Sequence, residues 1–211
     1  LDLAHLPAPF DTPGLLPGTF VDYSVALGER TVTVRSRPGV FSHGELDPGT
    51  AMLLANLHVR PDDRVLDWGC GSGIIGMAAA LTAGAERVTL LDIDSLACEC
   101  AKASLAANGL AAARVVHADG LAAVCGERFD LIVSNPPFHS GHAVNTAAIE
   151  VLISEAYQAL ANRGRLVIVA NRFLPYERLL TTAFGEIETL AADGRYKVLL
   201  ARKSKRKATK D

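Results

Sequence analysis

From residue 64 onward the chain alternates between two rhythms of apolar and polar positions. Short, almost wholly apolar runs at 64–67, 87–92, 114–117, 129–134 and 165–170 predict strands. Between them, 74–82, 95–108 and 148–161 carry helical spacing. The last places Ile149, Leu152, Ile153, Ala156 and Leu160 on one face, and Gly109 and Gly164 are expected to stop two of the helices. Strands that are apolar on both faces and alternate with helices predict a parallel sheet covered on both sides. Near the end, 186–191 and 197–201 flank Asp193-Gly194, which predicts an antiparallel hairpin. The expected fold class is therefore α/β, a doubly wound, mostly parallel seven-stranded sheet with a C-terminal antiparallel hairpin. Upstream, Thr31-Val32-Thr33-Val34-Arg35 alternates like a strand, Pro38 and Gly39 break it, and Asp47 caps an apolar helix that runs through Leu57. The Pro/Gly-rich stretch 6–18 reads as an arm.

Composition adds little until charge is mapped. With 49% apolar and 21% charged residues the chain is an ordinary globular one, which excludes wholesale disorder and fibrous architectures. The net charge of −2 divides unevenly: residues 202–211 carry +5 and the rest −7. The basic end is the candidate for contact with a polyanion. The expected organisation is an arm and short β segment over 1–39, a catalytic domain over 40–202 and a basic tail over 203–211. No apolar run approaches a membrane span, and no secretory signal is expected at the start. Cys70, Cys98, Cys100 and Cys125 form no paired ligand sets, so buried reduced thiols in a cytoplasmic protein are expected, without a metal.

The run Asp67-Trp68-Gly69-Cys70-Gly71-Ser72-Gly73-Ile74-Ile75-Gly76 turns the first strand of the regular series into a helix. A P-loop is excluded, because Met77 stands where its lysine should follow Gly76. The segment from Gly71 to Gly76 does spell the dinucleotide pattern, with Asp92 at the end of the next strand. Asp67 argues against a pyrophosphate, which it would repel. It favours a ligand that brings cations, such as the ammonium and sulfonium of S-adenosylmethionine. Asp92 can accept from the ribose hydroxyls of either ligand, and Asp119, followed by Gly120, from an adenine amino group. The plain alternative is a tight turn in which Asp67 caps the helix.

The fourth strand ends in Ser134-Asn135-Pro136-Pro137-Phe138. Two prolines remove two backbone donors, so this turn offers carbonyls. The Asn135 side-chain oxygen and the Pro136 carbonyl suit the two hydrogens of an exocyclic amine. Phe138 supplies a face for a planar base to stack on, worth roughly 1–3 kcal/mol. Positioning for in-line attack on a methyl sulfonium then needs no strong general base. The alternative is a rigid loop without chemistry.

On these positions, residues 40–202 resemble class I S-adenosylmethionine-dependent methyltransferases, a Rossmann-like family. Three further segments narrow the resemblance: Phe41-Ser42-His43-Gly44-Glu45-Leu46-Asp47, Asn135-Pro136-Pro137-Phe138-His139, and Val169-Ala170-Asn171-Arg172-Phe173-Leu174-Pro175-Tyr176. Together with Gly194-Arg195-Tyr196-Lys197-Val198 they are similar to the ribosomal RNA guanine-N2 methyltransferases. The methyltransferase C type, which acts on the small ribosomal particle, comes foremost, and the methyltransferase G type of the large one comes next. The resemblance implies methyl transfer from S-adenosylmethionine to guanosine N2 in ribosomal RNA, 16S favoured, with ribosomal RNA or the ribosomal subunit as partner. It implies a cofactor site of Asp67, Gly69, Cys70, Gly71, Gly73, Asp92, Ile93, Asp119, Gly120 and Asn135, and catalytic roles for Asn135, Pro136 and Phe138. His139 extends the tetrapeptide, and Asn171 and Arg172 end a strand where RNA could be touched. His43 and His142 read as solvated or locally bonded, and Trp68 as packed under the glycine turn. Rival readings are a methyltransferase acting on 23S guanine, DNA adenine or protein glutamine, a nicotinamide dehydrogenase, and an RNA-binding module without activity.

Overall fold

Alternating positions in Val21–Leu27 (β1) and Arg30–Ser36 (β2) pair these strands as an antiparallel hairpin, from Val21 opposite Ser36 to Leu27 opposite Arg30. Helix α1 (Pro48–Asn56) follows. The regular series then runs β3 (Val65–Trp68), α2 (Ile74–Ala83), β4 (Val88–Asp92), α3 (Ser95–Ala107), β5 (Arg114–His117), β6 (Phe129–Ser134), α4 (Thr146–Ala159) and β7 (Leu160–Asn171). It ends with α5 (Tyr176–Phe184), β8 (Ile187–Ala192) and β9 (Tyr196–Arg202). The structure, a computed structural model, describes residues 13–136 and 146–204. The expectations for residues 1–12, Pro137, Phe138, His139, His142 and the tail from Lys205 lie outside the described residues.

The seven-stranded sheet has the order β5-β4-β3-β6-β7-β9-β8, with β3 to β7 parallel and β9 antiparallel between β7 and β8. This is the expected doubly wound architecture with its terminal hairpin. Successive residues of a strand face opposite sides, so two cores form. One holds Val65, Leu90, Leu131 and Val133 under α1, α2, α3 and the β1–β2 hairpin. The other holds Leu66, Leu91, Ile132 and Ile168 under α4 and α5, and takes in Ile149, Leu152, Ile153 and Ala156 of the expected helix face; Leu160, expected on that face, is buried in the same core but opens β7. The hairpin is fixed to α3 by the Asn108 amide, which bonds both the N–H (2.9 Å) and the carbonyl (2.7 Å) of Thr33.

Two elements were not among those expected. β1 alternates as Val-Asp-Tyr-Ser-Val-Ala-Leu, with a two-residue connection to β2, which was a legible signal. In α5, Tyr176, Leu180 and Phe184 are buried at intervals of four, just after Pro175. Gly164 is not a helix stop. It lies within β7, where a side chain would come within 2.9 Å of the Ala161 carbonyl and 3.1 Å of that of Phe129. The C-terminus of α4 is held instead by Lys203, whose Nζ donates to the carbonyls of Tyr157 and Leu160. Cys70, Cys98 and Cys100 are buried free thiols as expected, but Cys125 is exposed. Among the described residues no helix is long and apolar enough to cross a membrane.

The lower edge of the sheet is tied by a buried ion pair between Arg165 of β7 and Asp63, which leads into β3. Arg165 also donates to the His58 carbonyl at 3.1 Å. Removing one partner leaves a buried, unpaired charge. Asp63→Ala is expected to cost about 3–5 kcal/mol in urea unfolding, with little change in the slope against denaturant; a loss within a few tenths of wild type would show that the pair does not hold this edge.

Candidate active site

Parallel β3 and β6 are neighbours whose following connections run to opposite sides, and such a switch point opens a crevice beyond the strands' C-terminal ends. The residues singled out from sequence converge there. Asp67 is the penultimate residue of β3 ahead of the glycine turn, Asp92 ends β4, Asp119 follows β5, and Asn135 and Pro136 follow β6. A separate cleft of about 750 Å³, lined by Arg128, Tyr157, Asn162 and Lys203, lies at the opposite edge of the sheet.

The turn is built from backbone bonds. The N–H groups of Gly69 and Cys70 donate to the Leu91 carbonyl at 2.8 and 3.1 Å, tying the loop to the end of β4. Gly69 and Gly71 have φ of +73° and +53°, a region that favours glycine, and nothing stands within 4 Å of where their side chains would be. Their open side faces space a ligand can occupy. Gly76 is required for a different reason: a Cβ there would meet Leu90 at 2.5 Å, so glycine lets α2 press against β4.

Asp67 is wholly buried beneath this turn. Its Oδ2 accepts from the Gly76 N–H at 2.7 Å, the helix-capping role foreseen as the plain alternative. Its Oδ1 is buried with no partner among the described residues. Burial pushes its carboxyl up from 3.8 to about 7, helped by the charge of Asp92 and opposed by the Gly76 N–H. Asp92 is aimed by two backbone donors, Gly71 N–H to Oδ2 at 2.8 Å and Asp94 N–H to Oδ1 at 2.9 Å. Asp94 itself caps α3 through Leu96 N–H. Asp119 is exposed, Gly120 beside it has φ +74°, and Ile93 is 62% exposed just past Asp92. Burial pushes the Cys70 thiol well up, so it stays protonated.

Across the crevice, Asn135 Nδ2 donates to Thr50 Oγ1 at 2.8 Å and to Asp47 Oδ2 at 3.2 Å, both on the N-terminus of α1. Its Oδ1 is buried and has no partner among the described residues. Ser134, just before it, donates its hydroxyl to the Trp68 carbonyl at 2.7 Å, joining β6 to the start of the glycine turn. Trp68 packs into the core on the α4–α5 side. His43 is locally bonded, as expected, to Ser36 Oγ at 3.2 Å.

Sequence reading missed two contributors. Thr50 was seen only as part of a helix start, and Tyr23 sits on the overlooked β1. The Tyr23 hydroxyl donates to the Ser42 carbonyl at 3.4 Å, and burial, partly offset by nearby Ser72 of the glycine turn, pushes its pKa up. At the far side, Arg172 and the β8–β9 turn brace each other. Arg172 N–H donates to the Arg195 carbonyl at 2.8 Å and its guanidinium to that of Asp193. Phe173 stands 73% exposed beside them.

Three comparisons bear on this arrangement. A profile of the methyltransferase small domain family matches residues 31–200. The chain is 40% identical over 185 residues to a ribosomal RNA small subunit methyltransferase C of Vibrio parahaemolyticus, covering 88% of this chain and 53% of that protein. It is 43% identical over 182 residues to one of Pseudomonas aeruginosa, covering 86% and 54%. Among solved structures, a T. thermophilus 16S rRNA N2 methyltransferase in complex with AdoMet and guanosine superposes with a TM-score of 0.80 at 34% identity, covering 89% of this chain and 52% of that one. The chain thus spans about half the length of the curated relatives it matches.

The buried carboxyl of Asp67 gives a signed pH dependence. Between about pH 4 and 7 the folded chain keeps a proton that the unfolded chain has released. This group's contribution to stability is therefore complete below about pH 4 and is lost as pH rises through 7. The ligand-free protein should lose stability over that window relative to Asp67→Asn, with a slope of at most about 1.4 kcal/mol per pH unit. Urea unfolding of both proteins from pH 4 to 8 measures it; parallel profiles would contradict the assignment.

Proposed function

The chain belongs to the methyltransferase small domain family, and on that premise we propose that it transfers a methyl group from S-adenosylmethionine to the exocyclic N2 amine of a guanosine in ribosomal RNA, with 16S RNA as the target. The observation that carries this reading is the buried, unpaired Oδ1 of Asn135, an acceptor at the switch point with its own amide hydrogens already committed. Leaving a buried acceptor unmade costs roughly 1–3 kcal/mol, which a donor supplied by a substrate would recover. The names of the relatives agree with it, as does the guanosine of the solved one.

The chain's residues fit the cofactor. Asp67 Oδ1 is an orphaned carboxylate oxygen suited to an ammonium, and the open side of Gly69 and Gly71 leaves room above the turn. In this reading Asp67, Gly69, Cys70, Gly71 and Gly73 hold the amino-acid part. Asp92 and Ile93 hold the ribose, Asp119 and Gly120 the adenine, and Asn135 closes the site between cofactor and acceptor. When bound, S-adenosylmethionine supplies an electrophilic methyl group on its sulfonium. The chain's own work is orientation. Asn135 Oδ1 and the Pro136 carbonyl accept the two hydrogens of the target amine and so turn its lone pair toward the methyl. These bonds strengthen as the nitrogen gains positive charge in the transition state, so they lower the barrier more than they aid binding. Phe138 stacks on the base. Arg172, Phe173 and Arg195 form a braced basic and aromatic rim suited to flanking nucleotides, and the basic tail beyond Lys203, whose own ammonium is taken up by the Tyr157 and Leu160 carbonyls, adds phosphate contacts. Residues 40–202 make up the catalytic unit.

Two outcomes test the reading. Titration calorimetry should show binding of S-adenosylmethionine and of its demethylated product, with none of NAD. Asp92→Ala should weaken the former by roughly 1–3 kcal/mol, the worth of charged hydrogen bonds; NAD binding in its place would contradict it. In single-turnover methylation of hypomethylated ribosomal RNA, Asn135→Ala should slow the reaction by a factor on the order of 10²–10³ while cofactor affinity barely moves. A near-normal rate would make the turn structural.

A further inference from the structure

The N-cap of α1 does more than start a helix. Asp47 Oδ2 accepts from the Thr50 N–H at 2.7 Å, the ordinary capping bond. The same oxygen accepts from Asn135 Nδ2 at 3.2 Å, and Thr50 Oγ1 takes the other amide hydrogen at 2.8 Å. The two residues are separated from Asn135 by 88 and 85 positions in the chain, so this contact exists only because α1 packs beside β7 and β9 at the C-terminal edge of β6. α1 is fitted closely there: a Cβ on Gly49 would stand 3.0 Å from Asp47 Oδ2 and 3.1 Å from the Tyr196 ring.

A primary amide has two faces of opposite character, a donor NH₂ and an acceptor carbonyl. A carboxylate can only accept, so Asp47 compels the NH₂ of Asn135 to turn toward α1. The carbonyl oxygen must then point the other way, which is the side left without a partner. We propose that Asp47 and Thr50 are positioning residues for methyl transfer, which lock the Asn135 side chain with its oxygen toward the incoming amine. Resting on the reading of Asn135 given above, this assigns the cap a role in the rate of reaction beyond helix stability. Without the lock, half of the amide orientations would present NH₂ to the substrate amine, donor against donor.

The test separates capping from positioning. Serine caps as well as aspartate, but its oxygen ends one bond short of Asn135. Asp47→Ser should therefore keep the wild-type Tm and cofactor Kd, yet slow single-turnover methylation about 10- to 100-fold, in the range expected for a reacting group held about 1 Å out of place. Asp47→Asn, whose amide oxygen can occupy the place of Oδ2, should recover most of that loss. Thr50→Val, which leaves the Asp47 cap in place, should fall with Asp47→Ser, and KM for RNA should change little in either. A wild-type rate in Asp47→Ser and Thr50→Val, with Asn135→Ala still slow, would overturn the positioning role alone. A wild-type rate in Asn135→Ala would overturn both it and the reading it rests on.

Discussion

A carboxylate buried whole beneath a glycine turn is the constraint around which the rest of the structure is arranged. Asp67 can be accommodated there because its Oδ2 finds the Gly76 N–H in the first turn of α2. That bond requires α2 to come close to β3 and β4, and the closeness in turn requires glycine at 76, where any side chain would strike Leu90. The other oxygen is left without a donor among the described residues, and burial holds the carboxyl near neutral rather than in the ordinary acidic range. A cation arriving above the turn would favour the ionised form and relieve the cost of burying it. In the proposed reading this is the cofactor half of the site, where a positively charged ligand would supply the partner that Asp67 Oδ1 lacks among the described residues.

The acceptor half follows the same logic with a neutral group. Asn135 has its donors satisfied by α1 and its oxygen unsatisfied. Asp67 and Asn135 stand at the ends of adjacent parallel strands, and the Ser134 hydroxyl bonded to the Trp68 carbonyl sets the two ends in register. Two polar groups without partners among the described residues, one an ionisable carboxyl and one a neutral amide oxygen, thus lie on neighbouring strands, as the proposed cationic methyl donor and amine acceptor require. The braced pair of Arg172 and the Asp193 turn lies farther along the same edge, beyond β6 at β7 and β9.

The sheet, most of its helices and the strand-end acids were legible because each rests on a local signal. Apolar runs of strand length, helical spacing, and glycines after a strand are all visible within a dozen residues. The bonds from Asn135 to Asp47 and Thr50 were not, because a helix cap looks the same in sequence whether or not a distant amide shares it. The contact depends on how α1 docks against β7 and β9, which no local pattern encodes. Gly164 was misread for a related reason. A glycine after a helical run resembles a stop, but here close approach of the Ala161 and Phe129 carbonyls demands it. β1 and α5 did carry readable patterns, and the periodicity of Tyr176, Leu180 and Phe184 is clear once Pro175 is taken as a start rather than a break.

The central claim is that this geometry methylates the N2 amine of guanosine. Incubating the chain with hypomethylated 16S RNA, naked and assembled, and trideuteromethyl S-adenosylmethionine, then digesting to nucleosides for mass spectrometry, tests it directly. The account predicts deuterium label in N2-methylguanosine. Label in a different nucleoside, such as an N6-methyladenosine, or none with either form of the RNA, would contradict it.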